Sequence, residues 1–223
     1  MQFLRDNRKL IIAVMSLPLF FFWFDRIIVS FLKNYFVKKS FIYYIFEQAD
    51  PFTRFISHGT TLIVVAFLLF LIGKFYNRKC YNAGKTLILG FISAGVAVQI
   101  LKHLSGRIRP RLTDDVVFTG PSLRLGFDSF PSGHVTTAFC FAYILSSYFP
   151  RYKVYFYIWA VFIGFVRIEG IAHFPSDVLA GAVVGTVVAK FLLERGAPAI
   201  QSNPDKAGAK VAGGTAYENS TES

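Results

Sequence analysis

Charged residues and cysteines are both scarce in this sequence. Only 17% of its 223 residues are Asp, Glu, Lys or Arg, whereas a soluble domain contains about 25%. Two cysteines are too few for a disulfide framework. Cys80 falls in a predicted short basic loop and Cys140 in an apolar run, so they are not expected to pair. Hydrophobic residues make up 54% of the chain. This balance excludes an ordinary soluble domain and predicts an integral membrane protein.

Among the charged residues, the acidic ones are in the minority. The formal net charge is +11, and a strongly basic chain raises the question of nucleic-acid binding. However, the Lys and Arg residues form short clusters between apolar runs, and no nucleic-acid-binding module is recognisable. We therefore interpret the positive charge as juxtamembrane charge that faces anionic lipid headgroups.

The apolar residues form continuous runs rather than an alternating pattern, which favours helices over a membrane β-barrel. The sequence predicts an all-α, polytopic membrane bundle of about six transmembrane helices, at residues 10–24, 55–73, 86–101, 135–149, 154–166 and 178–193. No small-x-small cleavage site follows the first run, so we interpret it as an uncleaved span rather than a signal peptide. Residues 1–195 are predicted to form one membrane-embedded domain. Residues 196–223 lack a periodic apolar face and are predicted to be disordered.

Two further patterns concern how helices pack. Between the first two spans, apolar residues recur at helical spacing with polar residues on the other face: Ile28, Phe31, Leu32, Tyr35 and Phe36. This pattern is typical of an amphipathic helix in the membrane interface, with a plain connecting helix as the alternative. In the last span, the Gly181-x-x-x-Gly185 spacing predicts that another helix backbone approaches closely.

Three short segments place ionisable residues beside the apolar runs, where uncompensated charge is costly and commonly functional. They read Lys102-His-Leu-Ser-Gly-Arg-Ile-Arg109-Pro110, Phe130-Pro-Ser132-Gly133-His134 and Arg167-Ile-Glu-Gly-Ile-Ala-His173-Phe-Pro-Ser-Asp177. The first segment leaves the third predicted span, the second enters the fourth, and the third links the fifth to the sixth. All three segments are therefore predicted to meet on one face of the membrane.

The residue types in these segments suit phosphate chemistry. Lys102 supplies a point charge, and Arg109 and Arg167 supply planar guanidinium groups that can each grip two phosphate oxygens. Ser132 and Gly133 come just before a predicted helix, where free backbone N–H groups can bind an anion.

The histidines and the aspartate suit nucleophilic and acid–base roles. His173 and Asp177 are four residues apart, so they face the same way if a helix begins near residue 175. A carboxylate on one imidazole nitrogen would fix the tautomer and leave the other nitrogen free to attack. His134 is available to protonate a leaving group. Spacing alone leaves open which histidine attacks.

Together, the three segments resemble the signature of the type-2 phosphatidic acid phosphatase superfamily. The family pattern is Lys-x6-Arg-Pro, then Pro-Ser-Gly-His, then Ser-Arg-x5-His-x3-Asp, and Val166 stands here in the position of the family serine. The resemblance implies a membrane lipid phosphatase that works through a phosphohistidine. It also implies His173 as nucleophile, Asp177 as its partner, His134 as general acid, and phosphate binding by Lys102, Arg109, Ser132, Gly133 and Arg167.

The expected substrate is a phosphorylated membrane lipid: lipid A, undecaprenyl pyrophosphate, phosphatidylglycerol phosphate or phosphatidic acid. Arg111 and Arg124 add charge that favours a bulky anionic headgroup, whereas His103 and Glu169 are not expected to bind substrate.

Asp114 and Asp115 lack partners with metal-ligand spacing, so neither a metal nor another cofactor is expected. The predicted location is a bacterial inner membrane, with the site on the periplasmic or outer face.

Three other readings of the same residues are weighed against this one. Vanadate-dependent haloperoxidases look similar at this site, but they are larger soluble proteins, whereas this chain is predicted to be embedded in a membrane. A lipid-binding or transport protein on the same fold would be expected to lose His173 or Asp177, and both are present. A phosphotransferase that passes phosphate to another acceptor stays open.

Overall fold

The computed structural model describes residues 23–35, 59–113 and 115–200, together with single positions at 12, 48, 51 and 55. In these residues the chain is helical and contains no strand, only an isolated bridge between Arg107 and Phe118. The helices are α1 (Asp25–Tyr35), α2 (Gly59–Tyr76), α3 (Arg78–Ser105), α4 (Gly133–Tyr148), α5 (Lys153–Glu169) and α6 (Pro175–Ile200), with a 3₁₀ turn at Pro150–Tyr152. The all-α prediction is confirmed for the described part of the chain.

Every predicted apolar run from residue 55 onward corresponds to a helix, α2 to α6. Two helical stretches, Arg78–Ser105 and Pro175–Arg195, are long and apolar enough to cross a membrane, and Thr60–Tyr76 is a shorter apolar helix. The first predicted span lies outside the described residues, except for positions 12, 23 and 24. Helix α6 continues to Ile200, and residues 201–223 of the predicted disordered tail lie outside the described residues.

The loop predicted around Cys80 is wrong, because α3 begins there. Helix α2 ends at Tyr76 and α3 begins at Arg78, with Asn77 as the only connecting residue. The Asn77 side chain accepts hydrogen bonds from the backbone N–H groups of Lys79 (2.8 Å) and Cys80 (3.4 Å), as a strong helix N-cap does. Cys80 therefore lies in the first turn of a helix that starts eight residues earlier than predicted.

Helix α1 confirms the predicted helix as far as Tyr35; the remainder of the pattern lies outside the described residues. Its packed face carries Asp25 and Val29, both fully buried, and the helix contacts α6. Phe31, by contrast, is 54% exposed. The exposed part of α1 carries apolar side chains, Ile27 and Phe31, beside polar ones, Arg26, Ser30, Lys33 and Asn34, a mixture expected of a helix in the membrane interface.

A close backbone contact joins α4 to α6. A Cβ atom added to Gly185 would lie 2.2 Å from the carbonyl oxygen of Thr136, and one added to Gly181 would lie 2.7 Å from that of Ser132. Real Cβ atoms do not approach this closely, so only glycine permits the observed separation of the two backbones. The close approach predicted from the Gly181-x-x-x-Gly185 spacing is confirmed.

This contact aligns the beginnings of α4 and α6. The backbone N–H of Ser132 donates to the carbonyl of Asp177 at 3.0 Å, next to the ends of α3 and α5. At the opposite end of the bundle, the hydroxyl groups of Thr86 and Tyr148 are 2.9 Å apart. Apolar side chains fill the space between, namely Leu87, Phe91, Ile144, Leu145 and Ala189.

We predict that Gly185→Ala destabilises the protein by about 1–3 kcal/mol, because overpacking of this size forces backbones apart. Thermal unfolding in detergent measures the effect. Gly95→Ala is the matched control, since no atom lies within 4 Å of its added Cβ. Equal melting temperatures for the two variants would show that the α4–α6 separation is not set by Gly185.

Candidate active site

A cavity of about 470 Å³ opens where α3 and α5 end and α4 and α6 begin. Six of the eight predicted site residues line it: Lys102, Arg109, Gly133, His134, Arg167 and His173. The other two, Ser132 and Asp177, are fully buried behind its wall. The structure therefore brings the three sequence segments together at one end of the bundle.

A tight turn after α5 sets the position of His173. The carbonyl of Arg167 accepts hydrogen bonds from the backbone N–H groups of Ala172 (3.1 Å) and His173 (3.2 Å). The chain can fold back this sharply because Ile171 adopts the left-handed conformation, with φ 51°. That conformation is strained for a β-branched residue, by about 1–3 kcal/mol. The turn thus fixes the nucleophile candidate directly beside a phosphate-binding candidate.

The tautomer of His173 follows from its hydrogen bond. Its Nδ1 lies 2.8 Å from the backbone carbonyl oxygen of Ser129. Because a carbonyl can only accept, Nδ1 carries the proton and Nε2 keeps its lone pair. Asp177 Oδ2 is 3.6 Å from Nδ1, too far for a hydrogen bond. The Ser129 carbonyl therefore accepts the Nδ1 hydrogen bond, and Asp177 lies beside the imidazole at ion-pair distance.

The environment of His173 favours its neutral form. Burial lowers the pKa of the imidazole, the nearby Asp177 carboxylate opposes this shift, and Lys102 and Arg109 add to it. The net pKa lies below the ordinary value of 6.5. A neutral imidazole is the nucleophilic form, so this environment suits the nucleophile role predicted for His173.

Asp177 is held by several donors. Its Oδ2 accepts from the Ser129 hydroxyl at 2.6 Å and from the Phe174 backbone N–H at 2.9 Å. Its Oδ1 accepts from the Arg107 guanidinium. Sequence reasoning missed Arg107 and Ser129, although Arg107 lies only two residues before Arg109. Together they place the carboxylate beside His173 without a direct hydrogen bond to it.

A third missed residue, Asp128, lies between two predicted phosphate-binding cations. Its carboxylate accepts two hydrogen bonds from Arg109, at 2.9 and 2.7 Å, and lies 3.5 Å from Lys102 Nζ. Lys102 Nζ also donates to the Asp128 carbonyl at 2.6 Å. Burial alone would raise the pKa of Asp128, but Arg109 and Lys102 hold it well below its usual range. Nothing in the local sequence pattern marks this residue.

The turn before α4 contributes differently from the prediction. The Ser132 backbone N–H already donates to the backbone carbonyl of Asp177, and the Ser132 hydroxyl makes no capping hydrogen bond to α4. Among the residues described, this buried hydroxyl oxygen has no hydrogen-bond partner. Gly133, by contrast, lines the cavity, where the absence of a side chain lets a ligand approach the backbone.

Arg111 and His103 lie relative to the cavity as the sequence predicts, whereas Arg124 does not. Arg111 lines the cavity and donates to the Gly170 carbonyl at 3.1 Å, whereas Arg124 is not among the lining residues. His103 also lies outside the cavity, with Nδ1 3.0 Å from the Ser122 carbonyl. Val166 is buried and does not line the cavity.

Known proteins resemble this chain both in sequence and in fold. Lipid A 1-phosphatase of Rhizobium etli is 35% identical over 139 residues, which cover 56% of this chain and 60% of that protein. The chain therefore spans about 60% of the length of this relative. The crystal structure of LpxE from Aquifex aeolicus matches with a TM-score of 0.57 and 26% identity, over 78% of this chain and 96% of that one.

A second solved structure supports the fold alone. The PAP2-type phosphatidylglycerolphosphate phosphatase of Bacillus subtilis matches with a TM-score of 0.64 and 21% identity, over 86% of this chain and 96% of that one.

The sequence profile of the PAP2 superfamily matches residues 83–197, slightly more than half of the 223-residue chain. That match includes all three segments that line the cavity. The chain belongs to the PAP2 superfamily.

Proposed function

We propose that this protein is an integral-membrane phosphatase that removes a phosphate group from a membrane lipid. One observation carries the proposal: the Ser129 carbonyl holds the proton of His173 on Nδ1, which leaves Nε2 as a nucleophile in a cavity lined by Lys102, Arg109 and Arg167. Its PAP2 membership and the lipid A 1-phosphatase relative support the choice of a lipid phosphate.

In the first step, Nε2 of His173 attacks the phosphorus atom. An N–P bond forms while the bond from phosphorus to the lipid oxygen breaks, and the His134 imidazolium gives its proton to the departing oxygen. Lys102, Arg109 and Arg167 stabilise the charge on the non-bridging oxygens. The product of this step is a phosphohistidine whose imidazole ring is cationic, and the Asp177 carboxylate stabilises that cation.

In the second step, water replaces the histidine on phosphorus. The neutral His134 takes a proton from the attacking water, a P–O bond forms and the N–P bond breaks. The site then holds inorganic phosphate, with His173 neutral and His134 protonated as at the start. Two displacements, each assisted by the same residues, replace one difficult displacement.

The fixed cations support a reaction without a metal ion. In many phosphoryl-transfer enzymes a divalent ion neutralises the phosphate oxygens, and here three cationic side chains that can do the same line the cavity: Lys102, Arg109 and Arg167. Within the described residues, no group of three His, Cys, Asp or Glu side chains is arranged to hold a metal. We therefore propose metal-independent catalysis.

The proposed substrate is an envelope lipid with a bulky anionic headgroup, such as lipid A. Arg111 supports this choice because it lines the cavity beyond the three phosphate-binding cations. Arg124 gives no such support, since it lies outside the cavity lining. Undecaprenyl pyrophosphate, phosphatidylglycerol phosphate and phosphatidic acid are the competing substrates.

We predict that the purified protein in detergent releases inorganic phosphate from lipid A in the presence of EDTA. Phosphate release is measured across the four candidate lipids, with vanadate expected to inhibit because it resembles pentacoordinate phosphorus. Activity that disappears in EDTA and returns with magnesium would contradict the metal-free mechanism. Loss of lipid phosphate without free phosphate, accompanied by a newly phosphorylated acceptor, would identify a phosphotransferase instead.

A second prediction concerns the nucleophile. His173→Ala should lower the turnover rate by about 10⁴-fold or more, equivalent to about 5 kcal/mol of barrier. Rapid quenching with ³²P-labelled lipid should trap an acid-labile, alkali-stable phosphoenzyme in the wild type and none in the variant. His103→Ala is the control, because this histidine lies outside the cavity and should keep near-normal turnover. Near-normal turnover of His173→Ala would exclude His173 as nucleophile.

We also propose a location and an orientation. All helices from α2 to α6, with the run at 10–24, would cross a bacterial inner membrane, and α1 would lie in its interface. Both termini would then be cytoplasmic and the cavity would open on the periplasmic or outer face. Basic residues at the opposite end of the bundle, including Arg78, Lys79 and Arg151, support this orientation by the positive-inside rule.

Cysteine labelling in intact cells is expected to confirm the orientation. In a protein carrying Cys80→Ser and Cys140→Ala, Leu123→Cys should react with a membrane-impermeant thiol reagent, because Leu123 is 84% exposed in the loop on the cavity side. Arg151→Cys, on the exposed turn at the other end, should react only after the cells are opened. The reverse labelling order would place the site on the cytoplasmic face.

A further inference from the structure

Arg107 lies at the centre of a buried charge cluster behind the cavity. Its side chain is completely buried, as are those of Asp25 and Asp177. One guanidinium nitrogen, Nη2, lies 2.5 Å from Asp25 Oδ2, and the other, Nη1, contacts Asp177 Oδ1. The Phe174 ring packs over the guanidinium at 4.2 Å. Arg107 thus joins a carboxylate at the catalytic centre to a carboxylate on α1.

Ser176 closes this cluster into a network with a defined direction. Its hydroxyl accepts from Arg107 Nη1 at 2.7 Å and donates to Asp25 Oδ2. Its backbone N–H donates to Asp25 Oδ1 at 2.9 Å. The Arg107 guanidinium and the Ser176 N–H can only donate, and both favour the carboxylate form of Asp25. Burial opposes them and raises the pKa of Asp25.

Asp25 also fixes the backbone that carries Asp177. Helix α6 begins at Pro175, so the N–H of Ser176 is one of the helix-terminal donors that have no partner within the helix. Asp25 satisfies that donor from a position 151 residues earlier in the chain. Because Ser176 directly precedes Asp177, the same contact restrains the position of the catalytic carboxylate.

The charge balance of the cluster matches the needs of a cationic intermediate. If Arg107 paired with Asp177 alone, the two charges would cancel, and the carboxylate would offer little stabilisation to a positively charged His173. Asp25 shares the guanidinium, so two carboxylates and one guanidinium leave one net negative charge beside His173. In a buried site with few mobile solvent dipoles, that charge has a strong effect on a neighbouring cation.

We propose that Asp25 is a positioning residue for catalysis: through Arg107 it keeps Asp177 oriented and electrostatically available to the cationic His173 intermediate. The inference rests on the phosphohistidine mechanism proposed above. It assigns a role in the reaction to α1, which contributes no residue to the cavity lining.

The test is a double-mutant cycle on kcat. Asp25→Asn should lower kcat about 10- to 100-fold, as the loss of a residue that orients a catalytic group commonly does, and it should leave KM within about twofold. In an Asp177→Asn background, the same change should cost less than about threefold, because the residue through which Asp25 acts is already altered. Asp115→Asn is the matched control: Asp115 pairs with Arg26 of α1 at 3.5 Å on the exposed surface, and this variant should keep the wild-type kcat.

Loss of kcat by the same factor in both backgrounds would overturn the proposal, since Asp25 would then act independently of Asp177. A change confined to KM, or to the folded fraction seen by size-exclusion chromatography, would overturn it as well.

If Asp25→Asn fails to fold, Arg107→Lys provides the second variant, because it keeps the charge but cannot present two nitrogens to two carboxylates. Its kcat should fall at least about tenfold, and a wild-type kcat would overturn the proposal. Failure of the phosphohistidine mechanism itself would appear separately, as the absence of a phosphoenzyme in the wild type.

Discussion

The direct contact between the backbones of α4 and α6 determines how the site is assembled. Gly181 and Gly185 let α6 approach the carbonyl groups of α4 without intervening side chains. As a result, the first residues of both helices lie next to each other, and the Ser132 N–H reaches the Asp177 carbonyl. The general-acid candidate enters from one helix and the carboxylate from the other. If α4 and α6 were further apart, the site residues that each helix carries would no longer face one common cavity.

Around this contact, the protein places charges in pairs rather than singly. Arg107 lies between two buried carboxylates, while Lys102 and Arg109 share Asp128 at the cavity. An unpaired charge in these positions would carry a large desolvation cost. The pairing makes it possible for an apolar helical bundle to contain a strongly polar site. It also distinguishes the cations that face the cavity, Lys102 and Arg109, from the buried Arg107, which pairs with Asp177 behind it.

Much of this arrangement could be predicted from the sequence, because it depends on local patterns. Continuous apolar runs predicted α2 to α6, and the order of the three segments predicted that Lys102, His134 and His173 would meet at one end. The rest depends on contacts between distant residues. Asp25 reaches Ser176 across 151 positions, and no periodicity or spacing relates the two. The single-residue connection at Asn77 was missed for another reason. The basic residues next to it, Arg78 and Lys79, are typical of a loop, although Asn77 caps the helix that they begin.

Asp128 has a consequence for the reaction cycle proposed above. When no phosphate is bound, the cations at the cavity are not bare, because a resident carboxylate already accepts hydrogen bonds from Arg109 and lies close to Lys102. In the proposed reaction, binding of phosphate would therefore exchange one anion for another. The reverse exchange would return Asp128 to its partners as inorganic phosphate departs. Such an internal competitor would favour release of the product after each proposed turnover, because tight retention of free phosphate would block the next substrate.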